Sequence, residues 1–185
     1  LVPLQVHNDA QVHVHSEFKS VLDFIESVIA SFIANADHES LLVIKHHPMD
    51  RGYHNYTDAI RQFAIAYNAP DRILYIHDQH LPTLLDHTAG VVLINSTVGL
   101  SALHHDVPVK VCGMAIFDMQ GLTFQGTLDA FWQGAKRHKI NSTLYQSFLS
   151  YLVGKTQING SFYKKIMSEQ NKSGMVWNGN INKAA

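Results

Sequence analysis

The run Asn95-Ser96-Thr97-Val98-Gly99-Leu100 follows a short apolar stretch and precedes a helical pattern. Asn, Ser and Thr all cap helix starts well. The first turn of a helix leaves backbone N–H groups unpaired, and its dipole favours negative charge. Two hydroxyls beside such groups make a seat for a phosphate. Gly99 would let a ligand or a neighbouring strand come close. The same residues also describe an ordinary helix cap with a glycine placed for packing, and both readings stay open.

A second candidate is Lys45-His46-His47-Pro48-Met49-Asp50. Lys45 and His47 suit a phosphate or carboxylate. Pro48 restricts His47 to an extended backbone and so holds its ring in one direction. Alternatively this is a turn with solvated histidines. A third group, Gln5, His7, Asn8 and Asp9, then His13 and His15, could hydrogen-bond a sugar or base, or form a polar loop entering a helix.

The 13 histidines raise the question of a metal. His13/His15, His46/His47 and His104/His105 are close in sequence, but adjacent residues diverge on both strands and helices. No His-Glu-x-x-His spacing occurs, so no metal is expected. G-x-G-x-x-G, Walker and G-x-S-x-G motifs are also missing, which removes the main support for dinucleotide, P-loop and α/β-hydrolase chemistry.

These groups need elements to position them. Leu1–Val6 reads as a strand. Phe18, Val21, Leu22, Ile25, Val28, Ile29, Phe32 and Ile33 follow helical spacing, with Ser16 as the cap. Further strands are expected at Leu41–Ile44, Ile73–Ile76, Gly90–Ile94 and Val107–Val111. Helices are expected around Ile60–Tyr67, ended by Asn68 and Pro70, at Leu81–Leu85 with Pro82 in its first turn, at Val98–His104 and at Ser142–Val153. Strands without strict alternation, separated by helices, imply a parallel sheet covered on both faces. The expected fold is therefore α/β, a Rossmann-like doubly wound parallel sheet, with a non-Rossmann α/β sandwich as the rival. Gly113–Trp132 reads as a long loop that walls the cleft through Phe124, Gln125 and Trp132, or as a packed loop anchored by Trp132.

Composition bounds the function. The chain has 185 residues, 46% hydrophobic and 16% charged, enough for one compact domain over 1–168 and a tail over 169–185 expected to be disordered. Net charge is −1, without the basic excess of a nucleic-acid binder. Cys112 is the single cysteine, which excludes an internal disulfide. No apolar run approaches the ~20 residues that span a bilayer. The chain begins at Leu1 without Met, as expected of a piece of a longer protein.

Several motifs in order carry a resemblance: Pro3-Leu-Gln-Val, His7-Asn-Asp, Lys45-His46-His47-Pro48, Asn95-Ser-Thr-Val-Gly-Leu-Ser-Ala-Leu, Pro108-Val-Lys-Val, Ala115-Ile-Phe-Asp, Gly121-Leu-Thr-Phe-Gln-Gly and Leu128-Asp-Ala-Phe-Trp. Over about residues 1–165 the chain resembles the capsule polysaccharide biosynthesis/export family of the KpsS/LipB type. The resemblance implies a retaining β-Kdo glycosyltransferase that uses CMP-Kdo to build the Kdo linker on a lysophospholipid anchor. It implies a GT-B enzyme, of which this chain is the C-terminal, donor-binding half.

The resemblance places the acceptor contacts and the main catalytic carboxylates in the N-terminal domain of the same protein, so the chain alone is expected to be inactive. It maps His47-Pro48 and Ser96-Thr97 onto the donor phosphate. In the expected mechanism Ser96, Thr97 and the following N–H groups hold that phosphate, while Lys45 and His47, whether or not it is protonated, offset its charge. Gln5, Asp9, Asn95 and Gln125 are candidates for other donor contacts. The implied partners are CMP-Kdo, a lysophospholipid or Kdo-lipid acceptor and the capsule export transporter. The implied place is cytoplasmic, at the inner face of the bacterial inner membrane, with no cofactor or metal. The rivals are another GT-B-like nucleotide-sugar enzyme, such as an epimerase, and a non-catalytic assembly module for capsule export.

Overall fold

The computed structural model describes residues 1–157. It divides into two compact units, Leu1–Asn141 and one that begins at Ser142. The second unit contributes one described helix, Ser142–Thr156, which runs one turn beyond its expected end. The expected domain limit at residue 168 and the tail after it lie outside the described residues.

The first unit alternates strands and helices: β1 (Val2–Pro3), α1 (Ala10–Val14), α2 (Val21–Asn35), β2 (Leu42–Lys45), α3 (Thr57–Ala66), β3 (Ile73–Ile76), α4 (Leu81–Asp86), β4 (Val91–Leu93), α5 (Val98–His104), β5 (Val109–Val111) and α6 (Leu128–Gly134). Every pairing is parallel: β1 with β2, β2 with β3, and β4 with β5. The two sheets meet at β1 and β4. The Leu1 nitrogen donates to the Gly90 carbonyl at 2.9 Å, and Val92 N–H donates to the Leu1 carbonyl at 3.0 Å. Bonds from one residue to two partners that flank a third are the parallel pattern. The order across the seam is therefore β3-β2-β1-β4-β5, and the chain reverses its direction of travel between β1 and β4. In such sheets the crevice for a ligand opens beyond the strand ends at that reversal.

Strand composition follows burial. Val91, Val92 and Leu93 in β4 are all buried, so they show no alternation of polar residues. β3 lies at the sheet edge, and Leu74 is exposed there. The first strand is shorter than expected, because Pro3 has no N–H to give, although Leu4 N–H still reaches the Lys45 carbonyl at 2.9 Å.

The long helix α2 buries Val21, Phe24, Ile25, Val28, Ile29 and Phe32 along one stripe. Its cap is Ser20, whose hydroxyl accepts from Asp23 N–H at 3.1 Å, rather than the expected Ser16. Ser16 instead donates to the Val12 carbonyl at 2.5 Å and accepts from Phe18 N–H at 3.2 Å, closing the turn after α1. Phe18 fits the helical spacing without being helical, because its ring meets Phe24 edge to face at 5.1 Å. Just beyond the end of α3, Asn68 takes φ 55, a left-handed value asparagine tolerates.

The expected loop over Gly113–Trp132 ends in a helix. α6 packs on α2 through Phe32 and Trp132, 5.1 Å apart edge to face, and Trp132 Nε1–H donates to Ser31 Oγ at 2.8 Å. Phe124 lies against Phe131. Trp132 and Phe124 thus anchor the fold and do not wall the cleft.

Gly99 is also a packing residue. A Cβ there would lie 2.5 Å from the Phe117 ring and 3.3 Å from Leu93 Cδ2. Phe117 is itself buried and cannot swing aside. Gly99→Ala is expected to lower unfolding stability by about 1–3 kcal/mol through overpacking, read from the urea midpoint.

Candidate functional site

The loops after β1, β2 and β4 meet at the reversal point. They enclose, with a wall from Met114 to Phe117, an open cleft of about 390 Å³. That volume lies within the usual range of small-molecule sites.

Gln5 forms the floor. It is 6% exposed, and its whole amide is used. Its Nε2 donates to Asn95 Oδ1 at 2.9 Å and to Asp9 Oδ2 at 3.0 Å, and its Oε1 accepts from Asn95 N–H at 3.2 Å. Asn95 Nδ2 in turn donates to the carbonyls of Gln11 at 2.8 Å and His15 at 3.2 Å. Gln5 and Asn95 are therefore framework, placed at the cleft but committed to each other. Asp9 caps α1, accepting from Gln11 N–H at 2.9 Å, and its carboxylate lines the cleft.

Ser96 and Thr97 also line it, on the start of α5. The Ser96 hydroxyl accepts from Val98 N–H at 3.3 Å, which leaves its proton to donate. The Thr97 hydroxyl makes no capping bond and is exposed. The backbone differs from the expected anion seat. Gly99 N–H bonds the Ser96 carbonyl and Leu100 N–H bonds the Thr97 carbonyl, both at 3.0 Å. The N–H groups of Val98, Gly99 and Leu100 are thus all bonded within the turn, while Ser96 and Thr97 line the cleft.

His47 joins them from the loop after β2. Its backbone is extended, φ −78 and ψ 128, as Pro48 requires. Its Nδ1 accepts from Met49 N–H at 3.2 Å, so the neutral ring carries its proton on Nε2. Burial pushes His47 below the ordinary imidazole value, while Asp50 acts in the other direction. With Nδ1 accepting from Met49, the neutral ring enters the site as an Nε2–H donor.

Three expected residues lie elsewhere. Lys45 is nearly buried, and its Nζ donates to the His77 carbonyl at 3.1 Å. Successive strand residues point to opposite faces, and Lys45 is directed toward β3. Gln125 bonds Asp118 at 3.1 Å and Thr123 Oγ1 at 2.8 Å, outside the cleft. Gly99 is filled by Phe117, as above.

Sequence reasoning gave Asp50 no role, yet it is wholly buried. It accepts from His7 N–H at 3.0 Å, contacts His7 Nδ1, and bonds the Tyr56 hydroxyl, whose pKa burial pushes up to about 12 with Asp50 adding to the effect. Its one available signal was position, three residues after His47 in a one-turn helix started by Pro48. The wall residues Met114 and Ile116 were equally hidden, being exposed apolar side chains in a stretch without periodicity. Among the described residues, no three His, Cys, Asp or Glu side chains gather to hold a metal, and no helix is long and apolar enough to cross a membrane.

The family model described as "Capsule polysaccharide biosynthesis protein" matches residues 1–163. The chain belongs to that family. It is 48% identical over 163 residues to "Capsule polysaccharide export protein KpsS" of Escherichia coli, covering 88% of this chain and 41% of that protein. It is 42% identical over 174 residues to "Capsule polysaccharide modification protein LipB" of Neisseria meningitidis serogroup B, covering 94% and 41%. "Protein FixF" of Sinorhizobium fredii is 30% identical over 127 residues, covering 68% of this chain and 29% of that protein. The chain thus spans about two fifths of the capsule relatives' length. No solved structure matches. The family match includes every strand end that builds the cleft.

Beside the site, His46 is 2% exposed and bonds the Tyr75 hydroxyl at 2.5 Å. Burial holds its pKa below the ordinary 6.5, with His77 adding to the effect. Between the depressed folded value and 6.5, the unfolded chain takes a proton that the folded chain refuses. Stability is therefore complete above 6.5 and falls as pH drops through that window. The urea midpoint is expected to be lower at acid pH than at pH near 7.5, with the difference narrowed by His46→Gln.

Proposed function

We propose that the chain is the donor-binding domain of a glycosyltransferase in capsule polysaccharide biosynthesis, and that its donor is a CMP-activated sugar, CMP-Kdo. The observation that carries this reading is the character of the cleft. Its side-chain donors include two hydroxyls and one neutral imidazole, and among the described residues no Lys or Arg lines it. A nucleotide diphosphate-sugar brings more negative charge than such donors offset. The single phosphodiester of a CMP-sugar suits them.

As the sugar leaves CMP, negative charge grows on the phosphate and positive charge on the anomeric carbon. Ser96 O–H, Thr97 O–H and His47 Nε2–H would stabilise the first. Asp9, held in place by Gln5 and Gln11, would stabilise the second. These groups do not depend on a metal ion. Family membership supports the capsule setting, and the names of the relatives place export and modification there. In this reading the rest of a relative-sized protein supplies a second domain of a GT-B pair, with contacts to a lysophospholipid or Kdo-lipid acceptor. The lipid acceptor and the capsule export transporter would bring the protein to the inner face of the inner membrane, and the 185 residues alone would be inactive.

Titration calorimetry of the full-length protein tests this. CMP is expected to bind in preference to UMP, UDP and ADP. Ser96→Ala and His47→Ala should each weaken CMP binding by about 1–3 kcal/mol, the usual effect of losing a bond to a charged group. A preference for UDP would favour an epimerase-like enzyme instead. Binding of no nucleotide would favour an assembly module.

A further inference from the structure

We infer that a second groove, at the opposite end of the sheet from the donor cleft, binds a neutral sugar unit. The inference stands on the groove itself and does not depend on which nucleotide the cleft takes.

The groove is about 490 Å³, within the range of small-molecule sites. It lies where the last turn of α2, the turn over residues 36–40 that leads into β2, and the end of α6 come together. It shares no lining residue with the cleft. Its base is formed before a ligand arrives. Arg72 holds the turn, donating from Nη2 to the Asp37 carbonyl at 2.7 Å and from Nε to the Ser40 carbonyl at 3.3 Å.

One wall is Trp132. Its Nε1–H donates to Ser31 Oγ at 2.8 Å, and the Ser31 hydroxyl donates in turn to Asp129. Phe32 meets the indole edge to face at 5.1 Å, and Phe131 does so at 5.8 Å. The half-buried ring is therefore fixed, its polar edge is occupied, and what it offers to the groove is carbon.

The polar atoms around it are mostly acceptors. Asn35 Nδ2 donates to the Ser31 carbonyl at 2.9 Å, and Gln133 Nε2 donates to the Asn35 carbonyl at 3.3 Å. Both amides are held by their nitrogens, so each offers chiefly its oxygen. Asp37 adds a carboxylate, and the last carbonyls of α2 carry the negative end of the helix dipole. The donors are His38 and Lys136.

This set selects its ligand by chemistry. A phosphate would meet a carboxylate and the wrong end of a dipole. A cation would meet Lys136. A flat apolar molecule would leave the acceptors without partners, which is costly. A pyranose fits each part. Its C–H face lies on the Trp132 ring, its hydroxyls donate to the oxygens of Asn35, Asp37 and Gln133, and one oxygen accepts from Lys136. The charges of Asp37 and Lys136 cancel, so the unit that fits is neutral. The family is one of polysaccharide biosynthesis, and a site here would hold a sugar unit of a glycan away from the point of transfer.

The test uses the full-length protein, with the methyl glycosides of glucose, galactose, N-acetylglucosamine and N-acetylgalactosamine as probes. Saturation-transfer NMR is expected to show at least one of them bound, with the signal on its ring C–H protons. Trp132 also packs on α2, so the variant of choice pairs Asp37→Ala with Gln133→Ala, both exposed. It should weaken that probe by about tenfold, the scale of two lost hydrogen bonds, with the urea midpoint close to wild type. Binding of none of the glycosides sinks the inference. So does unchanged affinity in the paired variant, which puts the sugar elsewhere. Tighter binding of free Kdo, an acidic sugar, or of arginine amide contradicts the charge argument and overturns the inference as well. None of these results bears on the donor-domain reading, which the CMP titration judges separately.

Discussion

Gln5 and Asn95 hold together the two halves of the sheet at the place where a ligand can enter. The backbone seam between β1 and β4 is short, with bonds through Leu1, Gly90 and Val92. The side-chain amides continue it beyond the strand ends, where no ladder exists. Each such bond contributes on the order of 1 kcal/mol net. Their larger effect is geometric. Asp9, Asn95 and the start of α5 keep their places because Gln5 has spent its whole amide on them. An apolar residue at position 5 would leave the Asn95 amide and N–H without these partners at the base of the cleft.

A second polar group underlies the other side. Asp50, Tyr56, His46 and Tyr75 are buried or half-buried in an otherwise apolar region. Polar groups there are costly unless each has a partner. Here the partners are present: Asp50 has His7 and Tyr56, and His46 has Tyr75. Such a network fixes a single arrangement of the loops after β1 and β2, which loose apolar packing would not.

Much of this was legible in the residues. Unbroken apolar runs marked β2 to β5 to within two residues, and β4, buried throughout, needs no polar alternation. Helix α5 was readable to the residue, and Pro82 and Asn68 marked their helix ends through fixed or permitted φ. Two boundaries misled. Phe18 extended the pattern of α2 because it shares the core while lying outside the helix, which moved the cap from Ser20 to Ser16. Leu128–Trp132 was read as the end of a loop because so short a helix shows no clear period, and its Trp132 serves packing on α2.

The sequence by itself determined the elements, their order and the strand ends that carry polar groups. Periodicity and chain-local caps are properties of neighbouring residues, so one dimension suffices for them. Only the tertiary structure decided which strand-end groups share a cleft. Ser96, Thr97, His47 and Asp9 come together because β1 lies between β2 and β4. Lys45 leaves the cleft because strand residues alternate faces and its ammonium finds the His77 carbonyl. Gly99 serves Phe117, a neighbour eighteen positions on. Asp50 gains its importance from burial beneath His7, forty-three positions away. Burial and partnership are set by residues distant in the chain, and no local pattern encodes them.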